Sequence, residues 1–139
     1  MPVPDYGAHR GYNPAVFPQA SKLHVAYRRV DDVTVLDLTG EITLDDGDLV
    51  LRRYIHALLE QGRKKILLNL AGITAMDSAG VGMLAAKLKT VREQHGDLKL
   101  LHLTTRSSRI LGMMKILTIF ESFDDEALAV KSFDFNAWE

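Results

Sequence analysis

The chain predicts an α/β fold: a mixed β-sheet of four to five strands, opened by an N-terminal hairpin and continued by parallel crossover units, with about four α-helices. Three observations carry this. Residues 65–70 (KILLNL) and 98–103 (LKLLHL) are each aliphatic at four of six positions, too continuously for half-exposed strands and as suits strands covered on both faces. Between them Val81, Leu84, Ala85, Leu88 and Val91 recur at helical spacing. A strand, a helix and a strand within about forty residues make a right-handed parallel crossover. Near the N-terminus, Leu23, Val25 and Tyr27 alternate with polar or small residues. A β-branched run from Val33 follows the turn residues Asp31 and Asp32, so these two strands pair as a hairpin.

The elements follow in order. Residues 1–21 hold all four prolines, Pro2, Pro4, Pro14 and Pro18, with Gly7 and Gly11, and read as a disordered extension; Tyr6, Tyr12 and Phe17 there are candidate docking groups. One domain over 22–132 accounts for the rest, apart from a tail at 133–139. Its Phe133, Phe135 and Trp138 are expected to pack in part against the last helix. After the hairpin, Leu51, Tyr54, Ile55, Leu58 and Leu59 form the apolar stripe of a helix from Asp48 to about Gln61, acidic at its start and followed by Gly62, Arg63 and Lys64. The KILLNL strand is expected to end near Asn69 or Leu70, with a loop over 71–76. The next helix runs to about His95 and stops at Gly96, suited to a left-handed cap. Beyond the LKLLHL strand, Thr104 or Thr105 caps a short helix with Ile110, Leu111 and Met114. Residues 116–120 offer an edge strand, and Asp124 or Asp125 caps a last helix with Ala127, Leu128 and Val130.

Ser78 is the residue that most needs explaining. It lies in the stretch Met76, Asp77, Ser78, Ala79, Gly80, Val81, Gly82, where strand and loop hand over to a helix at the carboxyl edge of the sheet. Two readings compete. Asp77 or Ser78 can simply cap the helix, which stabilises it by about 1 kcal/mol. Alternatively, Ser78 is a phosphoacceptor, since a phosphate there would meet first-turn N–H groups and a favourable helix dipole. Ala79, Gly80 and Gly82 keep that turn uncluttered, although each glycine costs a helix about 1 kcal/mol relative to alanine. A carboxylate at Asp77 would repel the phosphate, a tension that suits a reversible mark.

The segment LNLAGITAMDSAGVGML, residues 68–84, resembles the signature of the STAS domain, the fold of bacterial anti-sigma factor antagonists. LTGEI, residues 38–42, resembles its earlier landmark, and the likeness extends over about 23–130. The resemblance implies that Ser78 is phosphorylated by the anti-sigma factor, itself a serine kinase using ATP, and dephosphorylated by a metal-dependent serine phosphatase. It implies further that the unphosphorylated antagonist binds the kinase and frees the sigma factor, whereas the phosphorylated form lets go. One position departs from the family pattern: the landmark commonly continues to an aspartate, but Thr43 follows Ile42 here, with Asp45, Asp46 and Asp48 slightly later. Either a neighbouring carboxylate does that aspartate's work or the work is not done. Thr43 itself reads as a structural strand-end residue or, in another reading, as a second phosphoacceptor.

Composition excludes several rivals. A net charge of −1 in 139 residues gives no footprint for nucleic acid. Arg28 with Arg29, Arg52 with Arg53, and Arg63 to Lys65 read as short solvated pairs and runs. No cysteine is present, which removes disulfide, thiolate and cysteine-zinc chemistry. No apolar run reaches the roughly 18 residues of a membrane span, and the first residues lack the basic start and apolar core of a signal peptide, so a soluble cytoplasmic protein is expected. Met76 stands where a hydrolase elbow needs its first glycine, and Gly80 and Gly82 lack the lysine of a phosphate loop. The histidines 9, 24, 56, 95 and 102 are scattered without metal spacing.

The expectation is therefore a binding switch rather than an enzyme, without cofactor or metal. Ser78 is the phosphoacceptor, and Asp77, Ala79, Gly80, Met83, Lys87, Thr43 and Asp45 contribute to partner binding. Met83 is expected off the core stripe, as an exposed adaptable contact. The partners are an anti-sigma factor serine kinase and a serine phosphatase, and the protein itself is a monomer or weak dimer. A scaffold subunit of a multi-protein stress or signalling complex is the runner-up, and a serine hydrolase the alternative of a different class.

Overall fold

A computed structural model describes residues 21–134, so all of the 1–21 extension except Ser21, and the terminal Phe135 and Trp138, lie outside the described residues. The hairpin forms first in sequence: β1 (Leu23–Val30) and β2 (Val33–Ile42) pair antiparallel from Val30↔Val33 to Leu23↔Gly40, with Asp31 in left-handed conformation at the turn. Helix α1 (Gly47–Glu60), strand β3 (Lys65–Met76), helix α2 (Ser78–Glu93) and strand β4 (Asp97–Leu101) follow. Helix α3 (Thr105–Met113), a single 3₁₀ turn (Leu117–Ile119), strand β5 (Ser122–Phe123) and helix α4 (Glu126–Lys131) complete the chain. The sheet order is β1-β2-β3-β4-β5, with every pair after the hairpin parallel, as the crossover argument expects.

The sheet is covered on both faces, which explains why its central strands read as continuous apolar runs. On one face α1, α2 and α3 close over a core in which Leu36, Leu38, Ile66, Leu68 and Leu100 meet Tyr54, Leu58, Leu84 and Leu111. On the other, Val35, Leu67 and Leu101 meet Ala129, Val130 and Phe133 around α4. Phe133 thus belongs to the core, 1% exposed, rather than to a tail.

Four local expectations are corrected. β3 does not end at Leu70: residues 71–76 pair with the end of β2, up to Ile42↔Met76. Register shifts between Asp37 and Thr39 and between Gly40 and Glu41 break the alternation there, so no period of two marks the extension in sequence. β4 stops at Leu101 rather than Leu103, because His102 takes φ 56. The edge strand is Ser122–Phe123, while the run at 116–120 forms the 3₁₀ turn after Lys115, which also has positive φ. At the end of α2 it is His95, with φ 66, that turns left-handed, while Gly96 N–H donates to the Val91 carbonyl at 3.0 Å. Gly96 is needed for another reason: a Cβ there would sit 2.2 Å from the Lys64 carbonyl oxygen.

Candidate functional site

The site is assembled where β2 and β3 end side by side at their carboxyl edge. Both are long strands in parallel register, so the turn after Ile42 and the turn after Met76 arrive together. Asp77 joins them. Its amide donates to the Ile42 carbonyl at 3.4 Å, one carboxylate oxygen accepts from Gly80 N–H at 2.9 Å, and the other accepts from Leu44 N–H at 2.9 Å. The first of those carboxylate bonds is an N-cap, made from extended backbone at Asp77 with φ −111. The second reaches across to the other motif. Desolvation pushes the Asp77 carboxyl upward, but the backbone donors of Gly80, Leu44 and Ala79 outweigh it and hold the group below its ordinary value.

This geometry settles which of the two neighbours caps the helix. The cap is Asp77, and Ser78 is the first residue of the helix. Ser78 is exposed, and its hydroxyl has no hydrogen-bond partner among the described residues. A first-turn side chain that neither caps nor packs is accessible to an enzyme acting on it. The Asp77 carboxylate that would repel a phosphate is turned instead into two amides, one of them on the opposite turn.

Gly80 is buried, because a Cβ there would lie 2.3 Å from the Ile42 carbonyl oxygen. It lets α2 start close against the end of β2, and it faces inward rather than toward a partner. Gly82 is the glycine that leaves open surface, with nothing within 4 Å of its would-be Cβ. Met83 is likewise not an exposed contact: it is 9% exposed and belongs to the core, because α1 packs along that flank of α2. Ala79 and Lys87 are half-buried. Together with Ala86 and Met83 they line a depression of about 350 Å³ shared with Asp48 and Arg52 of α1.

Thr43 and Asp45 both lie in the β2–α1 turn. The Thr43 carbonyl accepts from the amides of Asp46 and Asp48 at 3.3 and 3.2 Å, while Asp45 is exposed with φ 58. The three carboxylates after Thr43 have different places. Asp46 accepts from the Ser21 hydroxyl at 2.7 Å and the Lys22 amide at 3.1 Å, fixing the incoming chain beside the site. Asp48 is 8% exposed and accepts from the Asp46 amide at 3.2 Å. Asp45 alone faces solvent. The sequence reading gave Arg52 no functional weight because adjacent arginines are usually solvated; its position across from Lys87 depends on how α1 and α2 pack. No cluster of three metal-ligating side chains occurs among the described residues.

A family model described as "Mlab, STAS domain" matches residues 25–120, which include both turns of the site. The anti-sigma F factor antagonist of Paenibacillus polymyxa is 24% identical over 98 residues, covering 70% of this chain and 84% of that protein. The anti-sigma-B factor antagonist of Bacillus subtilis strain 168 is 28% identical over 99 residues, covering 71% of this chain and 89% of the relative. Among solved structures, the Bacillus cell fate determinant SpoIIAA in its phosphorylated form superposes with a TM-score of 0.61 at 19% identity, over 78% of this chain and 98% of that one. With a mixed five-stranded sheet, four helices and a family match over most of its length, the chain belongs to the STAS domain family.

Proposed function

We propose that this protein is an anti-sigma factor antagonist that binds an anti-sigma factor serine kinase, releases the sigma factor, and is switched off by phosphorylation of Ser78. The observation that carries the reading is the exposed hydroxyl of Ser78, without a hydrogen-bond partner among the described residues, on the first turn of α2 beside a turn whose backbone Asp77 has fixed. The names of the relatives support it. The docking surface is the outer crest of α2 from Ser78 through Gly82, flanked by Ala79 and Lys87 and by Thr43 and Asp45 of the neighbouring turn. Asp77 shapes this surface from beneath.

A phosphate on Ser78 adds about −1.5 to −2 charges to that surface. Like-charge repulsion and desolvation on the partner side then weaken binding on the order of a hundredfold, equivalent to about 2.7 kcal/mol. No refolding is required, because the serine side chain holds nothing in place. A serine phosphatase restores the binding form.

Incubation with an anti-sigma factor serine kinase and ATP, followed by intact mass and site mapping, tests the assignment; phosphate mapped to Thr43 or elsewhere overturns it. Ser78→Ala is expected to keep the fold and bind the kinase constitutively, while Ser78→Asp binds on the order of a hundredfold more weakly. Equal affinity of the two variants would refute the switch.

A further inference from the structure

Charge is divided between the two faces of the sheet. Helices α1, α2 and α3 carry seven Lys or Arg residues against three Asp or Glu, one of which is the buried Asp48. Residues 121–134, which include α4, carry five acidic residues and one lysine. The near-zero net charge of the chain therefore conceals a basic helical face, while on the other side Glu126 and Glu121 are met by Arg28 and Lys99.

Within the basic face, Arg52 and Lys87 stand on either side of the groove between α1 and α2. Both line the depression that reaches Ala79 and Met83, and both line a second one, about 450 Å³, with Arg53, His56 and Glu60. The two depressions thus meet at these two cations and make one groove, with apolar contributions from Ala57, Ala79, Met83 and Ala86. Neither Arg52 nor Lys87 has an ion pair or hydrogen bond through its side chain among the described residues. Of the acids lining the groove, Glu60 lies 3.6 Å from His56, and Asp48 accepts from the Asp46 and Leu49 amides at 3.2 and 2.8 Å. Some cations elsewhere are paired, Arg28 with Asp37 and Glu126, Lys65 with Asp32, and Arg92 with Asp97, while Lys89 and Arg109, like Arg52 and Lys87, have no side-chain partner among the described residues; what sets Arg52 and Lys87 apart is that they line one groove together. Two unpaired cations facing each other over a partly apolar floor focus a positive potential and match a carboxylate-bearing chain.

We propose that the α1–α2 groove receives an acidic segment of the protein that docks on the Ser78 face, its Asp or Glu carboxylates meeting Arg52 and Lys87. This rests on the reading of that face as the kinase-binding surface, and it names the partner's complementary chemistry. It also gives the phosphate a second way to act. Ser78 precedes Ala79 at the mouth of the groove, so a phosphate there presents like charge to the incoming acidic segment and draws on the same cations.

The probe is a fluorescein-labelled oligoglutamate peptide, titrated against the full chain by anisotropy at low ionic strength, with oligoglutamine as the uncharged control. Saturable binding of oligoglutamate is expected, weakened at least tenfold by Arg52→Glu and by Lys87→Glu and little changed by Arg109→Glu on α3. All three side chains lie off the core, so the fold is retained. In kinase assays the first two variants should raise KM for Ser78 phosphorylation at least tenfold with kcat unchanged. Binding indifferent to Arg52 and Lys87, or equally weakened by Arg109→Glu, overturns the groove. So does displacement of the probe by phosphatidylserine vesicles in an Arg52-dependent manner, which assigns the groove to a lipid surface. The two proposals fail separately: an indifferent probe with Ser78 still phosphorylated removes the groove alone, whereas groove-dependent binding with no phosphate on Ser78 removes the kinase switch alone.

Discussion

The two faces of the sheet hold their carboxylates in different ways, and the difference decides which polar groups each face leaves exposed. At the edge beneath the helical face, Asp77 is satisfied by backbone amides of two separate turns. On the α4 face, Asp37 and Glu126 share the guanidinium of Arg28, which bonds Asp37 at 2.7 Å and Glu126 at 2.5 Å, while Asn69 adds a bond to Asp37 at 2.9 Å. Backbone amides hold a carboxylate without using any neighbouring side chain, so Ser78, Gly82 and Lys87 remain available. Arg28, Asp37 and Glu126 neutralise one another and join β1, β2 and α4. One face presents groups; the other consumes them.

The largest way to break this contrast is at the close approach beneath the site. Gly80→Val places a branched side chain against the Ile42 carbonyl, where even a Cβ would be 2.3 Å away. Destabilisation of about 3 kcal/mol is expected in urea unfolding, with loss of kinase binding. A cost below roughly 1 kcal/mol would mean that α2 can move off β2 freely.

Asp77→Ala removes both amide contacts and should cost about 1–2 kcal/mol, as for a lost N-cap. Amide exchange should quicken at Gly80 and Leu44, its two acceptor-bound donors. Asp77→Asn retains an acceptor and should recover much of the loss. Because the folded-state carboxyl lies below its ordinary value, its contribution is complete above the unfolded aspartate value near 4 and fades as pH falls.

The smallest effect belongs to the face richest in ion pairs. Arg28→Ala should cost less than about 1 kcal/mol, since the Arg28 side chain is 39% exposed and its partners 34%, and salt screens such pairs. Its pH dependence is the sharper readout. The hydrogen bond from Arg28 holds Glu126 below the ordinary glutamate value. Asp37 is raised by burial but lowered further by Arg28 and Asn69, so it too ends below its ordinary value. Both groups add stability above their unfolded values, near 4, that is lost as pH falls through the folded ones. The difference between wild type and Arg28→Ala should therefore shrink below about pH 4. A difference unchanged in acid would show that Arg28 acts through packing alone.

Much of the fold is written in local pattern. The continuous apolar runs announced buried parallel strands, and Tyr54, Leu58, Leu84 and Leu88 at helical spacing announced which stripes close over them. The hairpin turn at Asp31 and Asp32 was equally plain. What local pattern missed shares one cause. β3 continues through 71–76 because β2 offers its edge there, Met83 is covered because α1 lies beside α2, and Gly80 is required because Ile42 lies beneath it. Each depends on a partner element distant in sequence.

The same division applies to the site. Sequence alone determined that Ser78 sits at a helix start at the carboxyl edge of a parallel sheet, because strand, loop and helix signals are local and their order fixes the edge. Tertiary structure decided that Asp77 and not Ser78 caps α2, that Gly82 rather than Gly80 leaves open surface, and that Arg52 and Lys87 line one groove with no side-chain partner among the described residues. Side-chain periodicity fixes which face of an element is apolar; only packing fixes which polar groups from different elements find partners and which are left over.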